Sequence, residues 1–129
     1  NYVYVANSLG NSVSVVDAGA RSVIATLTGP FNKPHHLAAN PLNGKVYVAN
    51  SGNNSVTVIN GTNISSVVQL WDSGRPYGIA VDETRDLVYV ATIETNRIVA
   101  IKTVAHKLAR ACYYILRDRV PFDVNKAFA

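Results

Sequence analysis

Tyr-Val-Ala-Asn occurs at residues 4–7, returns at 47–50, and returns again as Tyr-Val-Ala-Thr at 89–92. The copies lie 43 and 42 residues apart. A fixed period of that length constrains a fold more than any local propensity, because no single unit can bury its apolar face alone. The register extends beyond the tyrosines. Asn-Ser-Val-Ser-Val-Val-Asp at 11–17 matches Asn-Ser-Val-Thr-Val-Ile-Asn at 54–60, and Asn-Arg-Ile-Val-Ala-Ile-Lys at 96–102 follows 42 residues later. Upstream of the tyrosines, Lys33-Pro34-His35-His36-Leu37 superposes on Arg75-Pro76-Tyr77-Gly78-Ile79 at the same shift of 42.

Each unit holds four short runs rich in Val, Ile, Tyr and Thr, at 35–39, 45–50, 55–59 and 65–70 in the complete copy. These residue types suit a pleated, half-buried surface. Ser55-Val56-Thr57-Val58 alternates polar with apolar, as a strand with one wet face does. Gly, Asn and Pro cluster between the runs at 40–44, 51–54 and 60–63, where tight turns need positive or fixed φ. Four antiparallel strands in about 42 residues make one twisted blade, and such blades pack radially around a channel. The reading is mainly β: a partial β-propeller of about three four-stranded blades.

The stretch Tyr-Val-Ala-Asn-Ser-Gly-Asn-Asn-Ser-Val-Thr-Val-Ile-Asn at 47–60, preceded by Pro-His and Asn-Pro-Leu-Asn-Gly, resembles the YVTN β-propeller repeat. The resemblance covers about residues 1–102 and implies a scaffold that binds through its loops and channel mouth, not a shared reaction. Many proteins of that family are secreted or lie in surface layers, so the resemblance implies an extracytoplasmic or cell-surface place; no signal peptide is visible. The first copy begins at its second strand and the third ends after its third, giving ten strands. The expectation is an open arc, favoured as a fragment of a longer propeller, with closure by self-association through its open blade edges as the alternative.

Residues 103–129 break the pattern. Val104, Leu108, Ala111 and Ile115 follow spacings of four, three and four, one face of an α-helix. Thr103 is a fitting N-cap and Pro121 ends the segment near 119 or 120. The sequence therefore predicts a C-terminal α-helix covering part of the unfinished third blade. His-Lys-Leu-Ala-Arg-Ala-Cys-Tyr-Tyr-Ile-Leu-Arg-Asp at 106–118, with Val-Pro-Phe-Asp-Val-Asn-Lys-Ala-Phe at 120–128, resembles the end of insertion-sequence transposases of the RuvC-like and serine type. Their catalytic carboxylates and serine have no counterpart in this tail. The division expected is thus propeller blades over 1–102 and a transposase-like remnant over 103–129.

Charge adds little. Of the net +4, residues 103–129 carry +3, so the basic balance belongs to the tail and not to the repeats. Nucleic acid is not the expected partner, though a transposase-fusion product with weak DNA binding is a third reading. No apolar run reaches the roughly 20 residues that cross a bilayer. The single Cys112 excludes an internal disulfide. His35, His36 and His106 lack the spacing of a zinc site, and no acidic pair has spacing suited to acid–base work. No catalytic, cofactor-binding or metal residue and no cofactor is assigned. His35 and His36, at the start of an inner strand, are candidate ligand contacts, with Tyr77 as the counterpart of His35. Arg75 and Lys33 precede matching prolines at one mouth of the arc. Trp71, at the end of an outer strand, is a candidate partner anchor. The function expected is a non-enzymatic binding or surface scaffold; a propeller-type enzyme, such as a lactonase-like hydrolase or a periplasmic oxidoreductase, is the alternative.

Overall fold

The computed structural model describes residues 1–71, 74–102 and 112–117. The first sheet contains β1 (Tyr2–Asn7), β2 (Ser12–Asp17) and β3 (Ser22–Leu27) in that order. The second contains β4 (Pro34–Asn40), β5 (Lys45–Asn50), β6 (Ser55–Asn60) and β7 (Asn63–Gln69). The third contains β8 (Pro76–Asp82), β9 (Leu87–Thr92), β10 (Arg97–Lys102) and β11 (Cys112–Arg117). All pairings are antiparallel between sequence neighbours, so each sheet is a meander and a propeller blade.

The turns show why these residues make hairpins. Asn11, Asn54, Asp86 and Asn96 each close a turn with φ between 48° and 53°. Gly44 and Gly61 reach 71° and 62° at turns of the second blade. Asn, Asp and Gly tolerate this left-handed region best. The Tyr-Val-Ala segments become the second strand of each blade, and the Asn-Ser-Val segments become the third.

Two apolar layers bind the blades together. Tyr4, Val13 and Leu27 of the first blade meet Leu37, Val46, Val48 and Ile59 of the second. Tyr47, Val56 and Val58 on the opposite face of the second blade meet Ile79, Val88, Val90, Val99 and Ile101 of the third. Alternation along β5 therefore serves two interfaces, because odd and even residues point to opposite faces. A hydrogen bond reinforces the first: the Tyr4 hydroxyl donates to the carbonyl of Gly61, at 2.9 Å.

The helical expectation for the tail fails at 112–117. That segment is β11, paired with β10 from Arg97↔Arg117 to Lys102↔Cys112, and it gives the third blade a fourth strand. The third blade thus has four strands, and the described residues hold eleven strands where ten were expected. The helical spacing rests on four apolar residues, of which only Ile115 lies in this stretch; Tyr113, Tyr114 and Ile115 are strand formers. An open edge on β10 offers a row of backbone donors and acceptors, and pairing with it outweighs a weak local preference. The rest of the expected helix lies outside the described residues. The first blade has three strands, as expected from its first copy.

Candidate functional site

β4 and β8 are the innermost strands of their blades and lie side by side. Both begin with a proline, and both depart from regular pairing at the next residue. The register skips His35 between Pro34↔Asn50 and His36↔Ala49, and skips Tyr77 between Pro76↔Thr92 and Gly78↔Ala91. A bulge of this kind re-aims a side chain, and bulges are common beside functional sites. The two bulged residues meet: the rings of His35 and Tyr77 lie 4.4 Å apart between centroids and are tilted by 35°. Both side chains are exposed. Equivalent positions of consecutive blades thus form a two-ring step on the inner strands.

The backbone beneath this step is held firmly. The carbonyl of Lys33 accepts from the Ser51 amide at 3.2 Å and from its hydroxyl at 3.1 Å. The Lys33 amide donates to Asn11 Oδ1 at 2.8 Å, tying the segment to the first blade. In the next blade the Arg75 carbonyl takes the same role, accepting from the Ile93 amide at 2.9 Å. Lys33 has φ of 47°, a left-handed conformation uncommon outside Gly, Asn and Asp. The Asn11 and Ser51 bonds hold it there.

The sequence candidates separate into two groups. His35 and Tyr77 come together, with Lys33 and Arg75 two residues before each. His36 is tied elsewhere: its Nδ1 accepts from the Ile79 amide at 3.1 Å, so the ring bridges the second and third blades. The neutral imidazole therefore carries its proton on Nε2. Arg75 is shared with Glu94 at 3.7 Å, an exposed and loose ion pair. Glu94 was missed by sequence reading because the equivalent place in the second blade is Gly52, so it does not repeat. Trp71 follows β7, the outermost strand and the opposite side of the blade from β4, and is 67% exposed. It does not share the inner-strand site. Among the described residues, no three His, Cys, Asp or Glu side chains converge as metal ligands would, and no helix is long and apolar enough to cross a membrane.

Two exposed rings offer a stacking surface, and Lys33 and Arg75 stand two residues before them in the chain, Arg75 loosely paired with Glu94. Aspartates elsewhere serve turns: Asp17 Oδ1 accepts from the amides of Gly19 and Ala20 at 2.8 and 3.0 Å. Those bonds, Ala20's first, hold its carboxyl below the usual value.

Comparison with known proteins supports the fold. The NHL repeat model matches residues 31–59, which span β4 to β6. Hydrazine synthase of Kuenenia stuttgartiensis aligns over 88% of this chain and 32% of its own, with 26% identity and a TM-score of 0.72. Virginiamycin B lyase of Staphylococcus aureus aligns over 94% of this chain and 39% of its own, with 15% identity and a TM-score of 0.76. The chain therefore spans between about a third and two fifths of these structures. No curated protein sequence matches it. Together with the blades described above, these similarities make the chain a β-propeller repeat protein covering part of a propeller.

Proposed function

We propose that this propeller module is a non-enzymatic binding scaffold of the YVTN kind, taking its ligand on the His35–Tyr77 step of the inner strands. One observation carries the reading. Two bulges at equivalent repeat positions place two exposed rings 4.4 Å apart on a backbone pinned from both sides. A stacking platform preceded in each blade by a cation, Lys33 and Arg75, suits an aromatic or ring-bearing ligand with negative charge.

Titration of the labelled protein with phenyl phosphate, a chito-oligosaccharide and inorganic phosphate, followed by NMR, tests it. The amides of Lys33, His35, His36, Arg75, Tyr77 and Gly78 are expected to shift with at least one probe, and His35→Ala and Tyr77→Ala to weaken that binding about tenfold. Binding that ignores both substitutions overturns the reading.

A propeller-type enzyme is the second reading, favoured by the names of the two similar structures, a synthase and a lyase. Lactone hydrolysis assayed before and after chelation separates the two. Metal-dependent turnover would establish the enzyme reading. The transposase-like resemblance of residues 103–129 belongs to the proposal as a statement of origin: a remnant joined to the blades, whose residues 112–117 supply β11 to the third blade.

A further inference from the structure

The repeated Val-Tyr-Val of the second strands exposes an unfinished surface. In the second blade Val46 and Val48 are 3% and 0% exposed, because the first blade covers them. Their equivalents 43 residues earlier, Val3 and Val5, are 50% and 45% exposed. Side chain, strand position and motif are the same, and only the neighbour differs. The opposite end shows the complementary case. Val56 is 0% exposed where the third blade covers it, and its counterpart Ile98 in the third blade is 43% exposed.

We propose that the Val3–Val5 face of the first blade docks on the Ile98 face of the third blade in a second copy of this chain. The interface would continue, between chains, the blade-on-blade packing that the molecule already makes twice within itself. The partner is specified by that packing: the face carrying Val46 and Val48 is covered by a blade face of the Tyr4–Val13 type, and Tyr89 and Ile98 occupy those repeat positions in the third blade. The contact is head to tail, so it either closes or propagates. Two copies of three blades make six, within the four to eight of closed propellers, so a ring of two copies satisfies both ends. This is a pairing of blade faces and not of strand edges, and it does not depend on the ligand reading above.

Light scattering on the full chain at micromolar concentration gives the test. The expected mass is that of two copies. Val3→Asp with Val5→Asp should weaken self-association about a hundredfold, since the interface would bury unpaired carboxylates. Val67→Asp, at an outer-strand position that stays exposed even beside the first blade, should leave the dimer intact. Ile98→Asp attacks the other face and should also give monomers. An equimolar mixture of the V3D/V5D and I98D chains should regain a two-copy species, because each mixed pair retains one unaltered interface. Circular dichroism shows whether each variant is folded. A monomeric parent chain overturns the proposal, and so does a dimer that survives V3D/V5D or a mixture that stays monomeric. A monomer would leave these faces to be met by other blades of a longer polypeptide.

Discussion

The last residue of each Tyr-Val-Ala motif works as a clasp. Asn50 Nδ2 donates to Ser55 Oγ at 3.1 Å and to Thr57 Oγ1 at 2.8 Å, joining β5 to β6. Asn7 makes the same pair with Ser12 and Ser14, at 3.1 and 2.9 Å. In the third copy Thr92 replaces Asn and its hydroxyl donates instead to the Arg97 carbonyl at 3.1 Å. The repeat made this asparagine visible in the sequence, but its task depends on hydroxyls five and seven residues later that only the hairpin brings to it. Asn50 is wholly buried and Asn7 is half-buried. Asn50→Ala is therefore expected to cost about 2–3 kcal/mol in urea unfolding, and Asn7→Ala about 1 kcal/mol. Equal costs would show that the clasp does not gain strength from burial.

Asp82 is the second residue-scale case. Its carboxyl accepts from the Arg85 guanidinium at 2.9 Å and from the Thr84 hydroxyl at 2.9 Å, and these bonds hold its pKa below the ordinary value. A depressed folded value means that the stabilisation is present above the unfolded value of about 4 and disappears as pH falls through the folded one. Asp82→Asn should flatten the acid limb of the stability profile and leave its alkaline limb unchanged. An unchanged acid limb in thermal melts would remove Asp82 from the account.

At the scale of elements, the turn at 51–54 decides how one blade is entered from the one before. The Gly52 amide donates to the Asn32 carbonyl at 3.0 Å, and a Cβ at position 52 would run into the Asn32 side-chain amide and lie 3.1 Å from that carbonyl. Gly52→Ala should therefore cost about 1–3 kcal/mol. Gly10, at the corresponding hairpin of the first blade, has no neighbour closer than 3.6 Å, so Gly10→Ala should be nearly neutral. Denaturant midpoints of the two variants check the contrast. Strands and hairpins were legible because alternation and Asn or Gly turns are local signals. β11 was not, because its conformation is set by the unpaired edge of β10 and not by its own spacing. The His35–Tyr77 step was half legible: both residues stood at matching places in the repeat, but their meeting needed two bulges that no spacing announces.

At the scale of the molecule, burial is assigned by neighbours. Val48→Ala should cost about 2 kcal/mol because the first blade closes over that position, whereas Val5→Ala should cost well under half of that in a monomer. The same comparison in a two-copy ring would narrow the gap, since Val5 would then be covered. Urea unfolding at low and high protein concentration reads the difference.

The sequence by itself determined the repeat, its period, the four-strand unit and the turns, because each arises from residues close together along the chain. It also marked His35, Tyr77, Lys33 and Arg75 as matched positions. Only the tertiary structure decided that β11 completes the third blade, that His36 bonds to the third blade's backbone while His35 meets the Tyr77 ring, and that Val46 and Val48 are core while Val3 and Val5 are surface. The physical reason is common to all three. A local sequence acquires its energy from what packs against it, and that is a property of the assembled blades.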